Sequence, residues 1–314
     1  MASPNLTELV TTTLRNRTAT MADNVSNGNA LLQRLSQSGN VRMAAGGRTI
    51  VEPLEYAENA TFGYYSGYET LNLTPGEVFD AAEYAWKQAA VNVTASGLET
   101  RVQNAGKEAL FDLLSRRITN AEKTMKNKLS EGVYSDGTGS SGKQITGLQS
   151  QVADGGTGTV GVIDSSIYTF WQNQNTSTAL FSATPTEFMQ NMWIDCCRGN
   201  DKPDLIIADK VFFQIFWESL TDQQRFAQAD TAVRGFQSLK FNTADVVYDG
   251  DSGCPASTMY FLNTDYIFWR PHTETNMVPL ERRNSINQDA LAVPIVFAGN
   301  VTCSNRSLQG VIHA

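Results

Sequence analysis

The residues that could perform chemistry are few in this sequence. The segment Gly137–Lys143 places glycines and a lysine at the spacing of a phosphate-binding loop, but Gln144 stands where magnesium needs a hydroxyl. Such a loop also lies between a strand and a helix, whereas a long helical pattern precedes this segment. We therefore predict a flexible glycine-serine loop. A nucleotide-binding enzyme using Gly137–Lys143 stays as an alternative.

The other candidate catalytic or metal-binding residues are isolated. His272 and His313 are the two histidines, and neither has a neighbouring ligand at a metal-like spacing. Cys196 and Cys197 are adjacent in a helical pattern, where a bridge between them would be strained, so reduced thiols are expected. The turn 249–251 offers two carboxylates, fewer than the six or more oxygens that calcium takes. We predict no catalytic residue, no bound metal, no cofactor and no enzymatic activity.

Composition and charge exclude further classes of protein. The chain has 314 residues with a net charge of -8, which argues against a free-standing DNA-binding domain. Its 15 Phe, 10 Tyr and 5 Trp favour a folded core over a disordered chain. No apolar run approaches the ~20 residues that span a bilayer, and the first residues do not resemble a signal peptide. A protein that remains in a cytoplasm and binds no membrane is expected.

The charge is distributed in blocks along the chain. Residues 1–48 carry +3, residues 49–98 carry -6, residues 99–131 carry +2 and residues 132–314 carry -7. An acidic block therefore lies between two basic ones. This arrangement suggests segments that meet other charged surfaces.

The N-terminal segment contains two short helical patterns. The first begins at Ser3-Pro4, with proline at the first helical position. Its apolar stripe consists of Leu6, Leu9, Val10 and Leu14. After a turn-rich break at 24–29, a second helix is predicted around Ala30, Leu31, Leu32 and Leu35, ending at Gly39. Helices this short need a partner surface, in this chain or in another copy.

The pattern of residues 46–98 predicts a long two-stranded hairpin whose middle is rich in glycine and aromatic residues. The middle contains Phe62, Tyr64, Tyr65 and Tyr68. The return segment 77–90 is ambiguous, because its alanines favour helix while its valines and aromatic residues favour strand. Two strands alone are marginal in water. A hairpin with exposed aromatic residues therefore needs a second surface on which to lie.

The rest of the chain is a mixture of helices and strands. Apolar residues at helical spacing predict a helix of about 45 Å over 99–131, with Gly132 as its C-terminal stop. Further helices are predicted after Thr184-Pro185-Thr186-Glu187, a capping box, and after Asp209. Strands are predicted at Pro203–Ala208, Asp245–Tyr248, Thr258–Leu262, Tyr266–Trp269 and Leu291–Val301.

The order of these parts resembles the major capsid protein of tailed bacteriophages, with the Hong Kong 97-type (HK97-like) capsid fold. The resemblance depends on several short sequence segments. Those of the extended loop are Gly46-Gly47 with Ile50, Pro53-Leu54 and Tyr56, then Tyr65, Gly67 and Tyr68, and Tyr84 to Gln88 on the return strand. Those of later parts are Tyr168 to Trp171, Pro203 to Ile206, Gly235-Phe236 and Met259 to Thr264.

The resemblance implies an α+β chain divided into five segments. These are an N-terminal arm (1–45), an extended β-hairpin loop (46–98), the spine helix of a peripheral domain (99–135), a mainly axial domain (136–262), and closing strands of the peripheral domain with the C-terminus (263–314).

The resemblance also implies a function and partners. The chain would form hexamers and pentamers of itself that close into the icosahedral head shell around a double-stranded DNA genome. A separate scaffolding protein, a portal and a decoration protein are implied partners, and packaged DNA would be contacted only non-specifically. The location implied is the capsid of the virion, assembled in the cytoplasm of the host bacterium.

In that family the extended loop lies on the neighbouring subunit near its spine helix. The resemblance therefore implies inter-subunit contacts between an acidic and aromatic set and a basic set. The first set is Glu52, Glu55, Tyr56, Tyr64, Tyr65 and Tyr68. The second is Arg116, Arg117, Lys123 and Lys126.

Two further alternatives remain open at this stage. An encapsulin-like shell of the same fold would enclose enzymes instead of DNA. A carbohydrate-binding surface protein would use Tyr64, Tyr65 and Tyr68, because aromatic rings stack on sugars.

Overall fold

The computed structural model describes residues 28–74, 76–96, 107–179, 181–220, 238–249, 253–281, 283–284 and 289–314. Two features of the sequence lie outside these residues: the helix predicted to begin at Ser3-Pro4 and the segment Gly235-Phe236. The long helix is described from Lys107, and its side chains from Arg116 onward.

Four regular helices lie within the described residues: α1 (Ala30–Gln37), α2 (Lys107–Val133), α3 (Pro185–Asp195) and α4 (Lys210–Ser219). Single helical turns occur at Gly139–Gly142 and Leu148–Gln151, and 3-10 turns at Thr169–Trp171 and Thr264–Tyr266. Asp209 caps α4 as predicted, because its carboxylate accepts a 2.8 Å hydrogen bond from the Phe212 N–H. None of these helices is long and apolar enough to cross a bilayer.

The larger sheet has six strands and is mixed. Its strands follow the order β6 (Gln174–Ser177), β14 (Gly310–His313), β10 (Thr258–Leu262), β7 (Leu205–Ala208), β9 (Ala244–Tyr248) and β8 (Ser238–Phe241). The pairs β6 with β14 and β7 with β9 are parallel, and the others are antiparallel. All four residues of β7 are buried, because both faces of the sheet are covered.

The second sheet is built around one long strand. Strand β13 (Ala290–Cys303) pairs antiparallel with β3 (Lys87–Ser96) on one side and with β11 (Ile267–Pro279) and β12 (Arg283–Asn284) on the other. Helix α2 lies against this sheet. The predicted closing segment 263–314 divides between the two sheets, because its last strand, β14, is the neighbour of β6 and β10.

The structure contains a two-stranded hairpin within the predicted range 46–98, but it extends only over residues 50–84, because residues 87–96 pair with β13. Strand β1 (Ile50–Glu55) pairs antiparallel with β2 (Phe79–Tyr84), in register from Ile50 opposite Tyr84 to Glu55 opposite Phe79. The ambiguous return segment is extended and not helical, since both β2 and β3 are strands. A second, short hairpin consists of β4 (Thr159–Val160) and β5 (Ile163–Asp164). It lies beside β2, and the Glu83 N–H of β2 donates a hydrogen bond to the Gly161 carbonyl in its turn.

Three apolar clusters hold these elements together. The largest joins α1, α2, the four-stranded sheet and one face of the six-stranded sheet. The second fills the space between the other face of that sheet and helices α3 and α4. The third lies at the root of the β1–β2 hairpin, around Ile50, Leu54, Tyr84 and Trp171. The hairpin is therefore attached to the body by its own small core.

Two local predictions differ from the structure. Helix α2 continues through Gly132 and ends at Val133, and a Cβ at Gly132 would meet the Ile145 side chain at 3.4 Å. Gly132 therefore lies within the last turn of the helix and is not its C-terminal stop. Helix α3 begins at Pro185 as predicted, but the Thr184 side chain makes no capping hydrogen bond, so the expected capping box is not formed.

Candidate functional site

The most conspicuous surface feature is the segment that connects β1 to β2. It consists of residues 56–78, of which Pro75 is not described, and contains no strand or helix in its described part. Tyr64 is 95% exposed and Tyr68 is fully exposed. The other large apolar side chains exposed here are Phe62, Tyr65, Leu71 and Leu73. A contiguous exposed apolar surface of this kind is uncommon on monomeric soluble proteins.

Short-range turns shape this loop. The Asn59 side chain accepts hydrogen bonds from the Thr61 N–H and hydroxyl, at 3.0 and 2.8 Å. The Ser66 N–H donates to the Glu69 carboxylate at 3.0 Å, and the Glu69 N–H to the Ser66 carbonyl at 2.9 Å. These bonds close turns without placing the aromatic rings against the body. The rings remain in solvent.

The root of the hairpin is fixed by buried polar contacts. Tyr84 is buried, and its hydroxyl donates to the Cys303 carbonyl at 2.9 Å. Burial raises the pKa of the Tyr84 phenol well above its usual value. The Trp171 indole N–H donates to the Val160 carbonyl at 2.9 Å. The hairpin therefore leaves the body from a defined position, although the loop beyond it has few contacts.

Glu52 occupies a different position from the one predicted for an inter-subunit contact. It is buried on the inner face of β1, where its carboxylate accepts hydrogen bonds of 2.7 and 2.8 Å from the Arg270 guanidinium. The Thr302 hydroxyl donates a third bond, of 2.8 Å. Because all of these partners belong to the same chain, Glu52 is a root contact and is not available to a neighbour. Arg270 and Thr302 were not predicted from the sequence.

The remaining predicted loop residues lie on or near the surface. Glu55 is exposed, and Tyr56 is half-buried because its ring stacks on that of Phe170 with centroids 5.0 Å apart. The acidic residues of 49–98 other than Glu52 are all exposed. They are Glu55, Glu58, Glu69, Glu77, Asp80 and Glu83. The hairpin thus keeps most of its negative charge at the surface.

The predicted basic set lies along α2. Lys126 is exposed, whereas Arg116, Arg117 and Lys123 are half-buried. The Arg117 guanidinium donates to the Thr94 carbonyl of β3 at 2.8 Å. This bond uses part of its hydrogen-bonding capacity within the chain. The ten predicted residues therefore do not form one site within a subunit, since the loop and the helix are separate surfaces.

The element directly before the segment Gly137–Lys143 is helix α2 and not a strand. Ser140 and Ser141 have positive φ angles of 54° and 60°, and the Gly142 N–H donates to the Thr138 carbonyl at 2.9 Å. Thr138 in turn bonds the Asp136 carboxylate through its hydroxyl and N–H, which lowers the pKa of that carboxyl. This closed left-handed turn lacks the strand-loop-helix setting of a phosphate-binding loop.

Candidate metal and redox chemistry also lacks a site among the residues that the structure describes. No group of three or more His, Cys, Asp or Glu side chains there could hold a metal ion. Cys196, Cys254 and Cys303 are buried, and burial raises the pKa of the Cys303 thiol to about 12. Asp249 is also buried and accepts hydrogen bonds from the Ala30 N–H and the Tyr134 hydroxyl. Its role here is therefore structural.

Comparisons of the whole fold find capsid proteins and an encapsulin. The cyanophage A-1(L) capsid has a TM-score of 0.67 at 15% identity, over 96% of this chain and 96% of that chain. The capsid of the native GTA particle has a TM-score of 0.66 at 11% identity, over 97% and 96%. The SrpI encapsulin complex of Synechococcus elongatus PCC 7942 has a TM-score of 0.54 at 10% identity, over 94% and 92%.

At the level of sequence, no protein-family model and no curated protein matches the chain. The structural matches extend over nearly the full length of both partners, so they concern the whole arrangement of hairpin, spine helix and two sheets. The predicted α+β class is confirmed, and the chain has the HK97-like fold of tailed-phage capsid subunits.

Proposed function

We propose that this chain is the major capsid protein of a tailed bacteriophage, which assembles with copies of itself into an icosahedral head shell around double-stranded DNA. The observation that carries the proposal is the loop 56–78. It presents an aromatic and apolar surface to solvent on a fold that matches capsid proteins over nearly its whole length.

The magnitude of the apolar contribution supports a protein partner for this loop. Burying one large apolar side chain contributes about 1.5–3 kcal/mol. An exposed ion pair contributes only ~0–1 kcal/mol. The aromatic tip would therefore provide most of the affinity, and the acidic residues around it would orient the loop. Repetition of a modest contact around a ring of subunits makes the shell stable.

The proposed acceptor surface is the basic face of α2 on a neighbouring subunit. Lys126 is exposed there, and Arg116, Arg117 and Lys123 are half-buried around it. The donor surface consists of Glu55, Tyr56, Tyr64, Tyr65 and Tyr68. Glu52 is omitted from the proposal because its carboxylate is bound to Arg270 in its own chain. A separate scaffolding protein, a portal, a decoration protein and assembly in the host cytoplasm belong to the same proposal.

The test is a comparison of two triple variants of the full chain. Replacing Tyr64, Tyr65 and Tyr68 by Ser removes the rings, and replacing them by Phe keeps the rings but removes the hydroxyl groups. We expect both variants to fold, because these side chains lie in solvent. The Phe variant should form shells, and the Ser variant should remain as unassembled subunits or open rings. Normal shells from the Ser variant would refute the loop contact.

An encapsulin-like shell is the second candidate, favoured by the match to the SrpI complex. Its TM-score of 0.54 is below the 0.67 of the cyanophage capsid. The two functions differ in the contents of the shell. Purification of shells from the native host distinguishes them: packaged DNA supports the capsid, and a stoichiometric enzyme cargo without DNA supports the encapsulin.

A further inference from the structure

A groove of about 250 Å³ opens between α1, α2 and the four-stranded sheet. Its apolar lining consists of Leu32, Leu129, Trp269, Met277 and Phe297. Trp269 and Phe297 form its floor as a stacked pair with ring centroids 5.3 Å apart. Asn29, Lys126, Ser130 and Asn276 supply polar groups around it. An apolar floor with a polar margin is the form of a groove that binds an amphipathic helix.

The wall formed by β11 is irregular in a way that supports a binding role. The pairing of β11 with β13 shifts register between Pro271 and Asn276 and again between Asn276 and Val278. Met277, between these last two residues, has a φ angle of 56°. A non-glycine residue with positive φ inside a strand is uncommon and strained, and such strain occurs preferentially at binding sites. The irregular backbone places the Met277 side chain in the groove.

The N-terminal segment 1–27 joins the described chain beside this groove. Asn29 lines the groove, and its side-chain N–H donates to the Ser130 carbonyl of α2 at 3.3 Å. The next residue, Ala30, donates its N–H to the Asp249 carboxylate at 3.0 Å. These two bonds fix the place from which the preceding 27 residues extend.

The sequence of that segment matches the character of the groove. Its apolar residues Leu6, Leu9, Val10 and Leu14 fall on one face at helical spacing. The turn-rich residues 24–29 allow the chain to reverse direction. A short tether also gives an effective concentration of roughly millimolar, so a weak contact is sufficient. A cavity of about 150 Å³ accepts benzene, so the groove has room for one or two leucine side chains.

We propose that the apolar stripe of residues 1–27 binds as a short amphipathic helix in this groove of its own chain. Within the groove, the segment packs on the half-buried side chains of Leu32 and Met277, above the buried stacked rings of Trp269 and Phe297. The inference goes beyond the proposed shell function, because it concerns the unassembled subunit.

The test uses limited proteolysis of the full chain, because trypsin can cut after Arg15 and Arg17 within the segment. Cleavage at these sites is followed by mass spectrometry at a concentration where sedimentation velocity shows monomers. If docking is in rapid equilibrium, the rate reports the undocked fraction. We expect Leu9→Asp, which places a charge on the stripe, to raise the rate at least about ten-fold.

Two further variants separate the groove from general effects. Met277→Asn should also raise the rate, because it removes the apolar side chain while asparagine tolerates a positive φ. Thr11→Asp adds the same charge to the segment away from the stripe and should leave the rate at the native value. Cooperative urea unfolding of the Met277→Asn variant verifies that this variant is folded. The Leu9→Asp variant tests the proposal separately, because its substitution lies outside the described fold.

Two results would overturn the inference. One is equal cleavage rates in the native chain, Leu9→Asp and folded Met277→Asn. The other is protection of Arg15 and Arg17 only at concentrations where oligomers form, which would assign the groove to a segment of another copy. Neither result depends on shell formation, so the proposed function can fail or succeed separately.

Discussion

Glu52 and Arg270, 218 residues apart in sequence, are joined by two hydrogen bonds of 2.7 and 2.8 Å. The Glu52 side chain is 4% exposed and that of Arg270 is 17% exposed. The pair connects strand β1 of the hairpin to strand β11 of the four-stranded sheet. Together with the bond from Thr302, it holds the root of the aromatic loop on the body of the subunit.

Glu52→Gln should destabilise the subunit by about 3 kcal/mol, because it leaves the Arg270 guanidinium largely buried without a counter-charge. Urea unfolding gives the free energy. Glu55→Gln is the matched control, since Glu55 is exposed on the same strand, and its effect should be within about 0.5 kcal/mol. Equal stability of the two variants would contradict the buried ion pair.

Substitution by aspartate should destabilise the subunit at one residue of α2 and have little effect on its stability at the next residue. Met125 is 1% exposed and belongs to the largest core, whereas Lys126 is exposed. Met125→Asp buries an unpaired charge and should cost about 4 kcal/mol or more, while Lys126→Asp should change the free energy of unfolding by at most about 0.5 kcal/mol. If Met125→Asp unfolds at the native urea midpoint, the packed face of α2 is misassigned.

Removing the hydroxyl group should change the free energy of unfolding differently at two buried tyrosines. The Tyr134 hydroxyl donates to the buried Asp249, so Tyr134→Phe should cost about 1–3 kcal/mol. The Tyr260 hydroxyl is buried without a partner among the described residues, so Tyr260→Phe should be neutral or stabilising by up to about 1 kcal/mol. Thermal and urea unfolding measure both. A large loss for Tyr260→Phe would reveal a contact of its hydroxyl.

Stability should fall under alkaline conditions. Burial raises the pKa of Tyr84, Tyr134 and Tyr260 above the usual value and that of Cys303 to about 12. Between about pH 8.5, where free thiols ionise, and pH 12, the unfolded chain therefore binds fewer protons than the folded one. The stabilisation is complete below this window and is lost as pH rises through it.

The urea midpoint between pH 7 and pH 11 measures this loss. Tyr260→Phe should reduce it, whereas Tyr64→Phe should not, because the Tyr64 ring lies in solvent. A midpoint that stays constant up to pH 11 would show that these groups titrate equally in the folded and unfolded chain.

Much of the fold followed from local sequence signals. Short runs rich in apolar residues located strands β7, β9, β10 and β13, and the aspartate cap located α4. The ambiguous segment 77–90 could not be assigned from propensity, because its extended form is set by pairing with β1 and β13. Pairing of this kind depends on residues far away in the sequence.

The candidate site was predicted less completely, and Glu52 shows why. Its acidic side chain suggested a surface contact, yet it shares the parity of Ile50 and Leu54, which are both buried. The two-residue period of a strand therefore contained a signal for its burial. Its partner Arg270 could not be identified, because only the folded chain brings β1 and β11 together. The positive φ of Met277 likewise has no local sequence signal.

The central claim is that this chain forms a closed shell. The most direct test is electron microscopy of the purified full chain, together with sedimentation velocity, with and without a co-expressed scaffolding protein. We expect closed shells, or rings of five and six subunits, from the native chain. A native chain that remains monomeric in both preparations would contradict it.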